Sequence, residues 1–319
     1  MVLNIGVDCS ADGWKTCLMD HGGLLKLSTF TDAPAMLAYV QHICALYPEP
    51  TIAIASDLNT SFAALHTLTE QQCNEMTLYR DNQPESKRVK EILIAIGSMN
   101  LRSYSIPAVA YLESIPAYRK LNRADMGSAG SLCAITTILA RMREREAAWS
   151  EMRFLYLEVG HITKSIVVIE DGFIINGIGT QEQIYRGNWL NMQRNDAPVE
   201  EAFWEGLTQD LAGLMAIHHF EDIVVREQSA SAEDIRRKDA VIERLGEHYQ
   251  LYTFPAHESK EEGYDIAIGA ALIAEGLAND GPVAEVIERL RMREAAKYGL
   301  HTVPGAERAP LHARPPADA

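Results

Sequence analysis

The chain has 319 residues, enough for two domains with full cores. Acids outnumber bases 44 to 29, a net charge of −15. No basic face stands out, which argues against a nucleic-acid partner. The five cysteines (Cys9, Cys17, Cys44, Cys73 and Cys133) are odd in number and lack CxxC spacing, so neither a disulfide frame nor a zinc site is indicated. No charged-then-apolar leader opens the chain and no apolar run approaches ~20 residues, so a cytosolic protein with no membrane contact is expected.

The opening stretch, NIGVDCSADGWKTCLM over 4–19, reads as a β-hairpin. An apolar strand with Ile5 and Val7 runs into Asp8. A small-residue turn follows through Cys9, Ser10, Ala11, Asp12 and Gly13, and the chain returns with Lys15 at the start of the second strand. Such a turn either converges backbone N–H groups on an anion or is an ordinary hairpin whose Asp8 caps it. After a further turn at 20–23, residues 24–30 form a third strand. The same pattern recurs from Arg153: an apolar strand over 154–159 ending at Glu158, a turn through Gly160 and His161, a strand over 164–170, an Asp-Gly turn and a third strand over 173–178. Two halves opening alike imply a duplicated α/β fold.

Between the hairpin units, 33–46 has helical periodicity, with Asp32 placed to cap it and Pro34 in its first turn. Residues 51–56 (TIAIAS) read as a buried strand and 57–84 as an irregular, polar insertion. The apolar run 89–99 fits a strand or a short helix, and 109–112 a strand or a first helical turn. Residues 122–131 lead into a helix over 132–146 whose small side chains suit a close helix crossing. In the second half, a tyrosine-bearing loop over 181–195 precedes a helix over 199–218. A strand over 223–225, a helix over 232–246, a strand over 251–254, an alanine- and glycine-rich helix over 263–277 and an amphipathic helix over 283–298 follow. The proline-bearing stretch 301–319 reads as a disordered tail. The expected division is 1–127 and 128–300, with the tail beyond.

This arrangement resembles the actin-like ATPase superfamily of acetate and sugar kinases, Hsp70 chaperones and actin: two duplicated ribonuclease H-like α/β domains with nucleotide in the cleft between them. More narrowly, it resembles the DUF1464 family of predicted butyrate kinases over roughly 3–300. Residues 5–10 through Lys15 match the first phosphate loop, and 157–161 the second. Residues 125–129 open the first crossing helix, and 267–271 (Ala-Ile-Gly-Ala-Ala) lie on the second.

The resemblance implies ATP and Mg²⁺ as cofactors. Asp8 and Glu158 would be the metal-side carboxylates, with Lys15 a charge on the transferring group. Ser10, Gly13, Gly160 and His161 would form the phosphate cradle, and Gly269 would lie on the hinge helix. Asp125 would either reach the cleft or serve as the N-cap of its helix, and His161 would either bind substrate or fill its turn. A short carboxylate substrate would need a cation, with Arg80, Arg102, Arg119, Arg123 and Arg186 as candidates.

Several positions depart from the pattern. Ala11 and Asp12 stand where close phosphate approach calls for glycine. Gly130 and Ser131 stand where relatives carry an acid and a lysine. After the 223–225 strand, Arg226-Glu227-Gln228 replaces the glycines on which adenosine would lie, so these side chains must obstruct it or turn away. Three functions follow: a carboxylate kinase of the acetate/butyrate type, a catalytically degenerate relative with a nucleotide-sensing, scaffold or regulatory role, or a sugar or cofactor kinase or activator ATPase. A homodimer through the last helix is a further expectation, unless its stripe of Val286, Ile287 and Leu290 packs on its own domain.

Overall fold

The computed structural model describes residues 2–10, 13–56, 60–77, 84–121, 123, 125–161, 163–179, 197–219, 222–254, 261, 263–278 and 281–297. Ala11 and Asp12, the loop over 181–195 and the tail from 301 lie outside them. The first half places β1 (Leu3–Ser10), β2 (Gly13–Asp20), β3 (Gly23–Phe30), α1 (Ala33–Leu46), β4 (Thr51–Ser56), β5 (Ala63–Ala64), α2 (Glu70–Thr77), α3 (Pro84–Gly97), β6 (Arg102–Ser105), α4 (Ala117–Lys120) and α5 (Ala129–Glu144) in chain order. The second half adds β7 (Phe154–Val159), β8 (Lys164–Glu170), β9 (Phe173–Gly179), α6 (Ala197–His218), β10 (Asp222–Glu227), α7 (Ala232–Leu245), β11 (Gln250–Thr253), α8 (Asp265–Leu277) and α9 (Val283–Arg289).

Duplication is visible in the sheets. The first runs β3-β2-β1-β4-β6-β5 and the second β11-β10-β7-β8-β9. Each therefore has an antiparallel three-strand meander whose first strand pairs in parallel with the next. Strand alternation then builds five layers. On the outer face of the first sheet Leu3, Ile5, Val7, Ile52 and Ile54 pack under α1 and α3. On the outer face of the second, Leu155, Leu157, Val159 and Val225 pack under α6 and α7. Both inner faces meet α5 and α8, which are buried almost throughout.

The inner layer is close because its contact residues are small. A Cβ on Gly6 of β1 would stand 2.0 Å from the Ala267 carbonyl oxygen of α8. One on Gly269 would stand 2.3 Å from the Cys133 carbonyl oxygen of α5. Ala53 and Ala55 on β4 extend the same shallow surface. The small side chains of the two helices serve this crossing.

Local expectations were met unevenly. Asp32 caps α1, accepting from the Ala35 N–H at 2.8 Å. The ambiguous run at 89–99 belongs to helix α3, whose Val89, Ile92, Leu93 and Ile96 share one buried face. The insertion at 57–84 contains helix α2 and the short strand β5, so it is more regular than expected. Strand β6 is absent from the sequence expectations because the residues it buries on the outer face, beside Ile52 and Ile54, are serines: Ser103 and Ser105 are buried, and Ser105 Oγ donates to the Ser61 carbonyl at 2.8 Å. Residues Val109–Tyr111 form a single 3₁₀ turn. The last helix is shorter than the periodicity suggests. It ends near Arg291, whose φ of 53° takes it out of the helix, and a 3₁₀ segment, Met292–Lys297, follows. Its stripe of Val286, Ile287 and Leu290 is buried in this chain's own core. None of the five cysteines forms a disulfide, and among the described residues no helix is long and apolar enough to cross a membrane.

Candidate functional site

Parity decides which side chains enter the cleft. Val7 faces outward on β1, so Asp8 faces inward, and antiparallel register places Lys15 directly opposite it. Leu157 and Val225 face outward on the second sheet, so Glu158 and Arg226, themselves register partners across β7 and β10, face inward. Asp8, Lys15 and Arg226 line one cavity together with Glu227, Ser229, Gly263, Asp265 and Ile266. Asp8 and Glu158 are 2% and 7% exposed and Arg226 is 5% exposed, so these charges sit in a medium that offers little water.

The guanidinium of Arg226 dominates the electrostatics. Its Nη1 donates to Glu158 Oε2 at 2.9 Å, and the same oxygen accepts from the Tyr156 hydroxyl at 2.9 Å. Its Nε stands 3.5 Å from Asp265 Oδ2 in the first turn of α8. Burial works against the guanidinium's charge, but the surrounding acidic groups outweigh it and hold its pKa above the ordinary arginine value. Burial also raises the Asp265 carboxyl, with Arg226 pulling the other way. Burial and neighbouring Glu158 keep the Tyr156 phenol protonated, which suits its role as donor.

The second loop is held from within. The Gly160 N–H donates to the Thr163 carbonyl at 2.9 Å. The His161 N–H donates to Asp234 Oδ1 at 2.7 Å, and the His161 carbonyl accepts from Arg237 Nε at 3.0 Å. Asp234 Oδ2 accepts in turn from the Ser229 hydroxyl at 2.6 Å. A Cβ on Gly160 would stand 2.2 Å from Gln228 Oε1, so the glycine is needed for the close approach of this chain's own carboxamide. In the first loop Ser10 pairs in register with Gly13, whose φ is 121°. Lys15 Nζ reaches across the cleft to the Gly263 carbonyl at 2.7 Å.

The remaining positions lie elsewhere. Asp125 is not the N-cap of α5: that is Ser128, whose Oγ accepts from the Ser131 N–H at 3.1 Å. Asp125 Oδ1 accepts from the Gly127 N–H at 3.0 Å, and its carboxylate packs against Gly179. Gly269 is a helix-crossing residue, not a lining of this cavity. Arg226 does not stand out over an adenosine surface, because it turns inward to Glu158, while Glu227 pairs with Lys238 Nζ at 2.9 Å. Of the candidate carboxylate-binding cations, Arg119 and Arg123 donate to β9 at Ile175, Asn176 and Gly177. Arg102 stands 4.0 Å from Glu49, while Arg80 and Arg186 lie outside the described residues. Sequence reasoning missed Asp265, Asp234 and Tyr156. Tyr156 was findable as the same-face neighbour of Glu158, and Asp234 stands three residues after the cap Ser231.

These contacts test whether Mg²⁺ and ATP fit. Glu158 Oε2, the oxygen turned toward Arg226, already accepts two hydrogen bonds. Among the described residues no three His, Cys, Asp or Glu side chains are grouped to hold a metal ion. Two N–H groups of the second loop are engaged, one by a carboxylate. The cavity holds about 20 Å³ of water-sized space, room for about one water rather than a nucleotide. The residues present do not fit the pair in this arrangement.

The profile of DUF1464, "Protein of unknown function", matches residues 32–193. No curated protein matches the chain. Among solved structures, a propionate kinase from Francisella tularensis subsp. tularensis SCHU S4 aligns at TM-score 0.52 and 9% identity, covering 85% of this chain and 98% of that one. An acetate kinase from Entamoeba histolytica aligns at TM-score 0.47 and 10% identity, covering 81% and 96%. At 9% identity the likeness to the propionate kinase is one of fold.

Proposed function

Because the chain belongs to the DUF1464 family and has the two-domain actin-like ATPase fold, we propose that it is a catalytically degenerate member of that fold acting as a scaffold or regulatory protein. One observation carries this reading. Where the fold's relatives would bring metal and phosphate together, this chain brings its own opposite charges: Arg226 sits among carboxylates, and the Asp234 carboxylate sits on the second loop's N–H. A phosphoryl group bound there would have to displace a carboxylate already satisfied by two donors, and a divalent cation would have to displace a buried guanidinium. Both exchanges break charge-assisted hydrogen bonds in a poorly hydrated site.

A second reading, a kinase acting on a small carboxylate, draws support from Asp8 and Lys15, which converge on the cavity from the first sheet. It requires the domains to open and Arg226 to leave Glu158 before nucleotide enters. Calorimetry with Mg·ATP separates the two. We expect no heat of binding up to millimolar nucleotide. Micromolar binding that disappears in Asp8→Ala would overturn the degenerate reading and justify screening acetate, butyrate and related acids for acyl-phosphate formation.

A further inference from the structure

Carboxylates of the cleft converge on a cation that the chain itself supplies. Glu158 from the second sheet and Asp265 from the helix lying on the first sheet both face Arg226, and Asp8 from the first sheet lines the same cavity. We infer that the Arg226 guanidinium is the resident cation of this site, taking the place of a divalent metal, and that by joining Glu158 to Asp265 it ties the second sheet to the helix lying on the first sheet without any ligand. The inference rests on the degenerate reading above and adds a tie that is independent of nucleotide.

The geometry supports a bridging role over a merely local ion pair. Arg226 belongs to β10 of the second sheet, whereas Asp265 opens α8, whose Ala267 carbonyl stands against Gly6 of β1. Pulling the sheets apart would therefore separate Arg226 from Asp265 or peel α8 from β1. Lys15 at the Gly263 carbonyl, Thr29 Oγ1 2.7 Å from the Tyr264 hydroxyl, and the Gly22 N–H at Glu275 Oε2 (2.9 Å) fasten the same helix and its approach to the first sheet. Arg226 is a charged connection from the other side, beside the apolar packing of α5 on α8. Its shape suits the task, because the delocalised planar charge hydrogen-bonds Glu158 through Nη1 while its Nε stands within ion-pair distance of Asp265, a spread that a single ammonium cannot reproduce. Its planar group also lies 5.9 Å from the Phe254 ring centroid, beyond β11.

If the guanidinium replaces a metal, removing it should create a site for one. Arg226→Gln keeps most of the side-chain volume and removes the charge, leaving Glu158 and Asp265 facing each other across the vacated position. Thermal unfolding and small-angle scattering of the full chain are measured for wild type, Arg226→Gln and Arg226→Lys, each with and without about 5 mM Mn²⁺. The expected result is a wild type whose melting temperature is indifferent to Mn²⁺. Arg226→Gln is expected to melt lower, to show a larger radius of gyration, and to regain roughly 3 °C with Mn²⁺. Arg226→Lys should remain indifferent to Mn²⁺, because its ammonium still occupies the site.

An Arg226→Gln protein that is as compact as wild type and unresponsive to Mn²⁺ would overturn the inference, as would a wild type stabilised by Mn²⁺ to the same degree. If Arg226→Gln does not fold on expression, it is refolded from urea with and without Mn²⁺. Recovery only with the cation supports the inference, and equal failure in both overturns it. Wild-type Mg·ATP binding tests the degenerate reading separately, so a failure of either idea is recognised by its own measurement.

Discussion

The two hairpins follow one backbone plan and use it differently. In the first, Asp8 and Lys15 are register partners, so both face the cleft. In the second, Glu158 pairs with Ser165 and Lys164 pairs with Val159. That offset of one residue turns the second lysine to the other face of its sheet, where Lys164 Nζ lies 2.6 Å from Asp210 on α6. The acid of the second hairpin thus loses a hairpin lysine as partner and takes Arg226 from the neighbouring strand instead. Equivalent strands do not imply equivalent chemistry, because register alone reassigns which charges meet.

The difference can be broken most directly at the two acids. Glu158→Ala leaves Arg226 buried with one acceptor fewer and should cost about 3–5 kcal/mol in urea unfolding, whereas Glu158→Leu combined with Arg226→Met should recover much of that loss. A double variant as unstable as the single one would show that the pair is not coupled. Asp8→Asn, by contrast, keeps a side-chain oxygen acceptor in place and should cost about 1 kcal/mol.

Next in size is Gly269→Ala, which sets a Cβ against the Cys133 carbonyl and should cost about 2–3 kcal/mol while leaving any ligand response unchanged. A variant of normal stability that altered ligand response would return Gly269 to the cleft. Ser128→Ala should cost about 1 kcal/mol by removing the cap of α5. Asp125→Asn should cost less, because its amide oxygen still accepts from the Gly127 N–H.

The smallest effect sharpens how the second loop is held. Arg237 donates to Glu200 and to the His161 carbonyl, and its hydrogen bond lowers the Glu200 carboxyl from 4.5 to about 2. A depressed carboxyl stabilises the fold above its unfolded pKa, and that contribution disappears as pH falls through the folded value. Wild type should therefore be slightly more stable than Glu200→Gln above about pH 5, with the gap closing toward pH 2. The Glu200 side chain is 47% exposed, so solvent screening keeps the gap small. A gap independent of pH would mean that charge is not what holds Glu200 to Arg237.

Much of the architecture was readable from the chain. Alternation and turn residues predicted both meanders, Asp32 and Pro34 marked the start of α1, and the repeat of strand, acid and turn announced the duplication. Segments whose buried residues are polar, such as β6 with its serines on the outer face, gave no periodic signal. The end of α9 was hidden too, because Leu290 continues the apolar stripe while the backbone at Arg291 leaves the helix.

The site divides the same way. Asp8, Lys15, Glu158 and Arg226 could be picked out because each lies at the end of an apolar strand, and strand parity is a local property. Their pairing could not. Whether Arg226 stood over a nucleotide or turned toward Glu158 depended on the side-by-side register of β7 and β10, and Asp265 entered only because α8 folds back over the first sheet. Local sequence determined the elements and the inward positions, since these follow from propensity and period. The partners of the buried charges were decided by tertiary structure, since a charge removed from water must find its counter-charge wherever packing places one.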